Sequence, residues 1–128
     1  MLKAIVIAAG LLVAPVTVSA EPSAEYSACM DAAEGVTAGM LDCIGIENTR
    51  VDDELNAVWQ AGFPEQSNAV REKLRTSQRA WIAYRDSTCD VDAAQYEGGS
   101  FASVAYADCH RQLTTDRLDW LMQTFEAQ

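Results

Sequence analysis

From Met40 onward apolar side chains recur at the three-and-four spacing of a helix face: Met40, Leu41, Ile44, Val51, Leu55 and Val58. Thr37 stands where an N-cap is expected. Gly39 and Gly45 weaken this helix locally, by about 1 kcal/mol each relative to alanine. Gly62-Phe63-Pro64 closes it, because proline cannot continue a helix interior and suits the first turn of the next one. A second period runs from about residue 65 to 96 in two adjacent stripes, Val70, Leu74, Ser77, Trp81, Tyr84 and Thr88 beside Gln78, Ile82, Arg85, Cys89 and Tyr96. Two stripes predict a middle helix that faces two neighbours. Glu97-Gly98-Gly99 stops it, and Ser100 is placed to cap a third helix carrying Phe101, Val104, Cys109, Leu113, Leu118, Leu121 and Phe125. Residues 21–36 hold no sustained period. They read as an irregular, alanine-rich segment with at most a short helical turn around Cys29. Alternating apolar–polar runs and hairpin dipeptides are absent. The pattern predicts an all-α fold, a small three-helix (up-down-up) bundle with an irregular N-terminal segment.

The first 20 residues stand apart. Lys3 precedes an apolar run broken by Gly10 and Pro15, and Val18-Ser19-Ala20 has the small-residue character of a signal-peptidase site. A signal peptide over residues 1–20 is expected, leaving residues 21–128 as one helical domain without a retained membrane anchor. Residue 21 is Glu, so no lipobox cysteine follows the site. The product is expected to be exported, and periplasmic if the source is Gram-negative. Removing Lys3 with the leader leaves 8 basic and 19 acidic side chains, a net charge of −11. That balance argues against nucleic acid and against an anionic membrane surface as partner.

Much of the remaining apolar content is alanine, and a small domain with a thin core needs staples. Four cysteines, Cys29, Cys43, Cys89 and Cys109, all lie after the leader, which in an exported chain reads as two disulfides. Metal binding is the weaker reading, since there is no C-x-x-C pair and His110 is the single histidine. Of three connectivities, helical geometry favours one. About the Gly98-Gly99 turn, Cys89 and Cys109 fall nearly level across an antiparallel hairpin at about 1.5 Å rise per residue. A segment folding back along the first helix joins Cys29 to Cys43. Each bridge is worth about 3 kcal/mol in the chain-entropy model.

Two segments carry more than a period. They are Asp52-Asp53-Glu54-Leu55-Asn56 and the run Leu74-Arg75-Thr76-Ser77-Gln78-Arg79-Ala80-Trp81-Ile82-Ala83-Tyr84-Arg85-Asp86-Ser87-Thr88-Cys89, followed by Gly98-Gly99, Cys109, Thr114 and Arg117. Together they resemble the LprI-like lysozyme inhibitor family over residues 29 to about 121. Trp59 stands where that family usually has tyrosine, and Val51 where alanine is common. The resemblance implies a non-enzymatic inhibitor of lysozyme-type peptidoglycan-degrading enzymes that acts by binding and occlusion, with a basic lysozyme-like muramidase as partner. The alternative is an immunity or envelope-stress binding protein with a different partner and no lysozyme inhibition. No Gly-rich loop, nucleophile–base pair or metal cluster argues for catalysis, and neither a cofactor nor a catalytic residue is expected.

The hairpin register places Arg117 level with Trp81 and Leu113 level with Arg85. An antiparallel first helix brings Glu47 to the height of Trp81 to Arg85. Glu47, Trp81, Arg85 and Arg117, with Asp52 from the first motif, are thus the candidate structural or partner-contact cluster, arginines held by a carboxylate and stacked on an indole. Consecutive acids at 52–54 diverge around a helix and read as a solvated face. His110 reads as a surface histidine, and Trp120 as core or rim. Arg71, Lys73, Arg75 and Arg79 form a basic patch expected to balance carboxylates of the first helix. The Gly98-Gly99 turn and the Phe63-Pro64 loop are candidate contact elements by exposure.

Overall fold

The computed structural model describes residues 21–127, and the expected signal peptide lies outside the described residues. Four helices follow in order: α1 Ala24–Ala33, α2 Thr37–Gly62, α3 Asn68–Ala94 and α4 Phe101–Glu126, with one 3₁₀ turn, Phe63–Glu65, between α2 and α3. No strand occurs among the described residues. The bundle therefore has a fourth, short helix where an irregular segment was expected. Ser23 creates it: its Oγ accepts from the Tyr26 N–H at 3.0 Å, satisfying a donor that the first turn leaves unpaired. Glu34 (φ 47°) and Gly35 (φ 78°) then turn the chain through left-handed backbone into α2.

Thr37 is not the cap of α2. Val36 takes that position and Thr37 is the first helical residue, with no side-chain cap bond. Ser67 caps α3, its Oγ accepting from the Val70 N–H at 3.3 Å. Ser100 flanks α4 without a cap bond.

The middle helix is α4, not α3. Both α2 and α3 pack along α4, and α1 lies on α2. The reason is in what each helix can bury. Over its whole length α3 buries Leu74 and Cys89, because its second stripe is built from Gln78, Arg85 and an exposed Ile82. By contrast α4 buries Val104, Cys109, Arg111, Thr114, Arg117, Leu118 and Leu121, positions that spread over more than half of its circumference. Leu118 and Leu121 meet Val51 and Leu55 of α2, with Val58, Trp59, Trp81, Met122 and Phe125 packed around them.

Two disulfides complete the core: Cys29–Cys43 ties α1 to α2, and Cys89–Cys109 ties α3 to α4, with Cα separations of 5.7 and 5.5 Å.

Phe125 closes the far end of the core over Gly62, where a Cβ would come within 2.3 Å of the phenyl ring. Gly62→Ala is therefore expected to cost about 1–3 kcal/mol by overpacking. Urea unfolding will show a lower midpoint at unchanged slope, and an unshifted midpoint will mean that Phe125 does not seat there.

Candidate functional site

The motif residues of α3 and α4 meet at Arg117. This guanidinium is buried (8% exposed), yet no carboxylate among the described residues pairs with it. Its Nε donates to Gln78 Oε1 at 2.9 Å and its Nη2 to Ser77 Oγ at 3.0 Å. Its Cζ lies 4.3 Å from the Trp120 ring centroid and 5.7 Å from that of Trp81. Neutral acceptors and indole faces thus replace a counter-ion, an arrangement that avoids desolvating a second charge. Burial pushes the Arg117 pKa down from its usual value. Arg85 lies over the Trp81 ring at 4.8 Å and pairs with Asp86 at 2.9 Å. The structure therefore brings Trp81, Arg85 and Arg117 together and adds Trp120, Ser77 and Gln78. The side-chain partners of Arg117 sit on α3 one turn before Trp81, consistent with a long side chain reaching along its neighbour.

Glu47 is not part of this cluster. It lies four residues after Cys43, on the face of α2 that the first disulfide binds to α1, and the next residue, Asn48, meets Ala107 near the Cys89–Cys109 staple rather than at the height of Trp81. Its carboxylate is buried (2% exposed) and accepts from the Ser23 backbone N–H at 2.9 Å and the Ser23 hydroxyl at 2.7 Å. Arg50 grips it bidentately, Nη2 at 2.7 Å and Nε at 3.0 Å, and extends to Glu54 at 3.0 Å. Hydrogen bonds from Arg50 hold the Glu47 carboxyl at about 2 against the opposing push of burial, with Ser23 adding to the pull. Sequence reasoning missed Arg50 and Ser23. The Glu47-Arg50-Glu54 spacing of three and four was the available signal.

Asp52 is exposed and accepts from Asn56 Nδ2 at 3.3 Å. It sits near His110, together with Arg85 and Asp86, across the space between α2, α3 and α4. His110 is half-buried rather than a surface residue, and its Nδ1 is buried with no hydrogen-bond partner among the described residues. Burial, and then the Arg85 charge, lower its pKa, with Asp86 and Asp52 opposing. Nearby, Asn48 donates through Nδ2 to the Ala107 carbonyl at 3.4 Å while its Oδ1 is buried and unpaired.

An open groove runs between α2 and α3 beside these groups. Leu55, Asn56 and Trp59 form one wall and Arg75, Gln78, Arg79 and Ile82 the other, around a hollow of about 330 Å³. It continues at the Phe63-Pro64 corner, where Phe63 stacks on Trp59 at 4.8 Å and carries Arg75 over its ring at 4.8 Å. The basic patch does not balance α2 carboxylates: Arg71, Lys73, Arg75 and Arg79 make no ion pair with any described residue. Among the described residues no three His, Cys, Asp or Glu side chains converge to hold a metal ion, and no helix is long and apolar enough to cross a membrane.

Removing the Arg117 guanidinium leaves Gln78 and Ser77 unpaired and a void beside two indoles. Arg117→Ala is expected to cost about 2–4 kcal/mol in urea unfolding; a loss under about 1 kcal/mol would mark the contacts as incidental. For Glu47 the folded pKa lies below its ordinary value of 4.5, so its contribution is complete above that pH and drains as pH falls toward about 2. Glu47→Gln should cost about 2–3 kcal/mol at pH 7, allowing for the partly exposed Arg50. The gap from wild type should close between pH 4.5 and 2, as measured by denaturant titration across that range.

The family of lysozyme inhibitor LprI matches residues 29–121, well over half of the chain. An uncharacterized protein of Rhizobium meliloti (strain 1021) is 36% identical over 56 residues, which cover 44% of this chain and 40% of that protein. The match thus spans about two fifths of the relative's length. No solved structure matches the chain. The matched span starts at the first cysteine, takes in both disulfides, the groove and the Arg117 cluster, and ends at Leu121 in the core: the chain belongs to the LprI family of lysozyme inhibitors.

Proposed function

We propose that the protein is an exported inhibitor of lysozyme-type muramidases, cut after Ala20 and acting by occlusion of the enzyme's cleft without catalysis. The family match over residues 29–121 carries this reading. Two features support it. The disulfide-tied helices hold their side chains in place before contact, which lowers the ordering cost of binding. The net charge of −11 after leader removal steers the domain toward a basic enzyme.

Oxidised protein of residues 21–128 is expected to inhibit a basic lysozyme in a cell-wall turbidity assay. Association should slow as salt rises, because the Debye length falls from about 10 Å at 0.1 M to about 3 Å at 1 M. Neutralising an exposed acid of α2, as in Asp53→Asn, should lower the on-rate more than it raises the off-rate, read by surface-immobilised kinetics. Absence of inhibition at micromolar protein against several lysozyme classes, with both disulfides verified, would refute the inhibitor reading in favour of an immunity or envelope-stress role.

A further inference from the structure

Three arginines stand in a row on α3. Arg71, Arg75 and Arg79 are spaced by four residues, so they repeat about every 6 Å along one helix face. Like charges at this spacing repel. In a chain with 19 acidic side chains, none of the three forms an ion pair with a described residue. Two of them are nevertheless held. Arg71 donates to the Pro64 carbonyl at 3.2 Å and to Asn68, and Arg75 lies over Phe63. Arg79 projects freely beside the exposed Ile82. The row lines two adjoining hollows, one of about 360 Å³ at the Phe63-Pro64 corner and one of about 330 Å³ between α2 and α3. Glu72 borders the first without pairing with either neighbouring arginine.

We propose that this row is the contact that occludes the muramidase, its guanidiniums docking on the paired catalytic carboxylates of the enzyme. The proposal rests on the inhibitor reading and adds the face and the chemistry. Glycosidases hold two carboxyl groups about 5 to 9.5 Å apart across the scissile bond. A row with a repeat of about 6 Å spans that distance with two adjacent arginines. Guanidinium forks match carboxylates bidentately, and an arginine–aromatic centre is the composition of interface hot spots. The charge patterns are also inverse: a basic enzyme with an acidic cleft meets an acidic inhibitor with a basic stripe. A glycan is the poorer occupant, since the Phe63 ring at the corner is already engaged by Trp59 and by Arg75.

The test is the inhibition constant of the oxidised double variant Arg75→Gln/Arg79→Gln against the same basic lysozyme. Arg71 is left in place because it braces the corner. Long-range steering alone predicts that a more negative inhibitor binds a basic enzyme equally well or better. Local docking predicts about a tenfold or greater loss. Lys73→Gln, which removes a cation from the hollow on the other side of α3 beside Val70 and Trp120, should leave inhibition unchanged. A lysozyme with both catalytic carboxylates replaced by amides should bind wild-type protein more weakly, with no further loss on binding the double variant. Unaltered thermal melts and disulfide maps establish that the variants fold. If wild type inhibits and the double variant inhibits equally, the docking face is wrong and the inhibitor reading stands. If wild type does not inhibit at all, both fall. If the double variant loses retention on insoluble peptidoglycan while inhibiting normally, the row is a wall-binding site and the proposal is overturned.

Discussion

Leu118 and Leu121 of α4 are fully enclosed, and the molecule is arranged around the need to enclose them. Their seat against Val51 and Leu55 is the place where apolar burial is concentrated, since three of the remaining buried hydrophobic residues are half-cystines, Cys43, Cys89 and Cys109. With so small a core, hydrophobic burial alone cannot fix four helices. The covalent ties then do what extra apolar area does in a larger domain, fixing α1 against α2 and α3 against α4 at one height each.

The polar interior follows from the same shortage. Glu47, Arg111, Thr114 and Arg117 are buried in positions that a larger domain fills with leucine or isoleucine. Each is satisfied differently: Glu47 by Arg50 and Ser23, Arg111 by Asp108 at 2.8 Å, Thr114 by the His110 carbonyl at 2.7 Å, and Arg117 by neutral acceptors and indoles. Breaking any one strands a buried polar group, so these contacts penalise alternative packings as well as holding this one.

Period and punctuation were enough to read the three long helices, because Gly62-Phe63-Pro64 and Gly98-Gly99 interrupt strong apolar repeats. The Cys89–Cys109 pairing was legible for a related reason: a tight turn between two helices leaves one free parameter, the register, and two cysteines fix it. Lateral order was not legible. Which of three helices lies in the middle depends on how many faces each can bury, and polar members such as Thr114 and Arg117 hide that capacity in α4. Helix α1 was missed because its ten residues bury nothing completely, so no apolar period marks it. Glu47 was placed with Trp81 and Arg85, but its neighbour Asn48 meets Ala107 beside the Cys89–Cys109 staple and Glu47 itself faces α1, since spacing along an axis fixes height loosely and does not carry the angle around it.

The long α3 runs about 40 Å, yet α4 pins it at three heights: Leu74, the Arg117 hydrogen bonds to Ser77 and Gln78, and the Cys89 staple. Between these points its outer amides owe their protection to the helix's own hydrogen bonds, so local openings there cost less than global unfolding. The α3 wall of the groove, Arg75 to Ile82, starts at the first two of these pins, and α2 is seated along the core, so both jaws are set before a partner arrives. The give in α3 lies beyond them, in the stretch from Ala83 to Thr88 that precedes the staple.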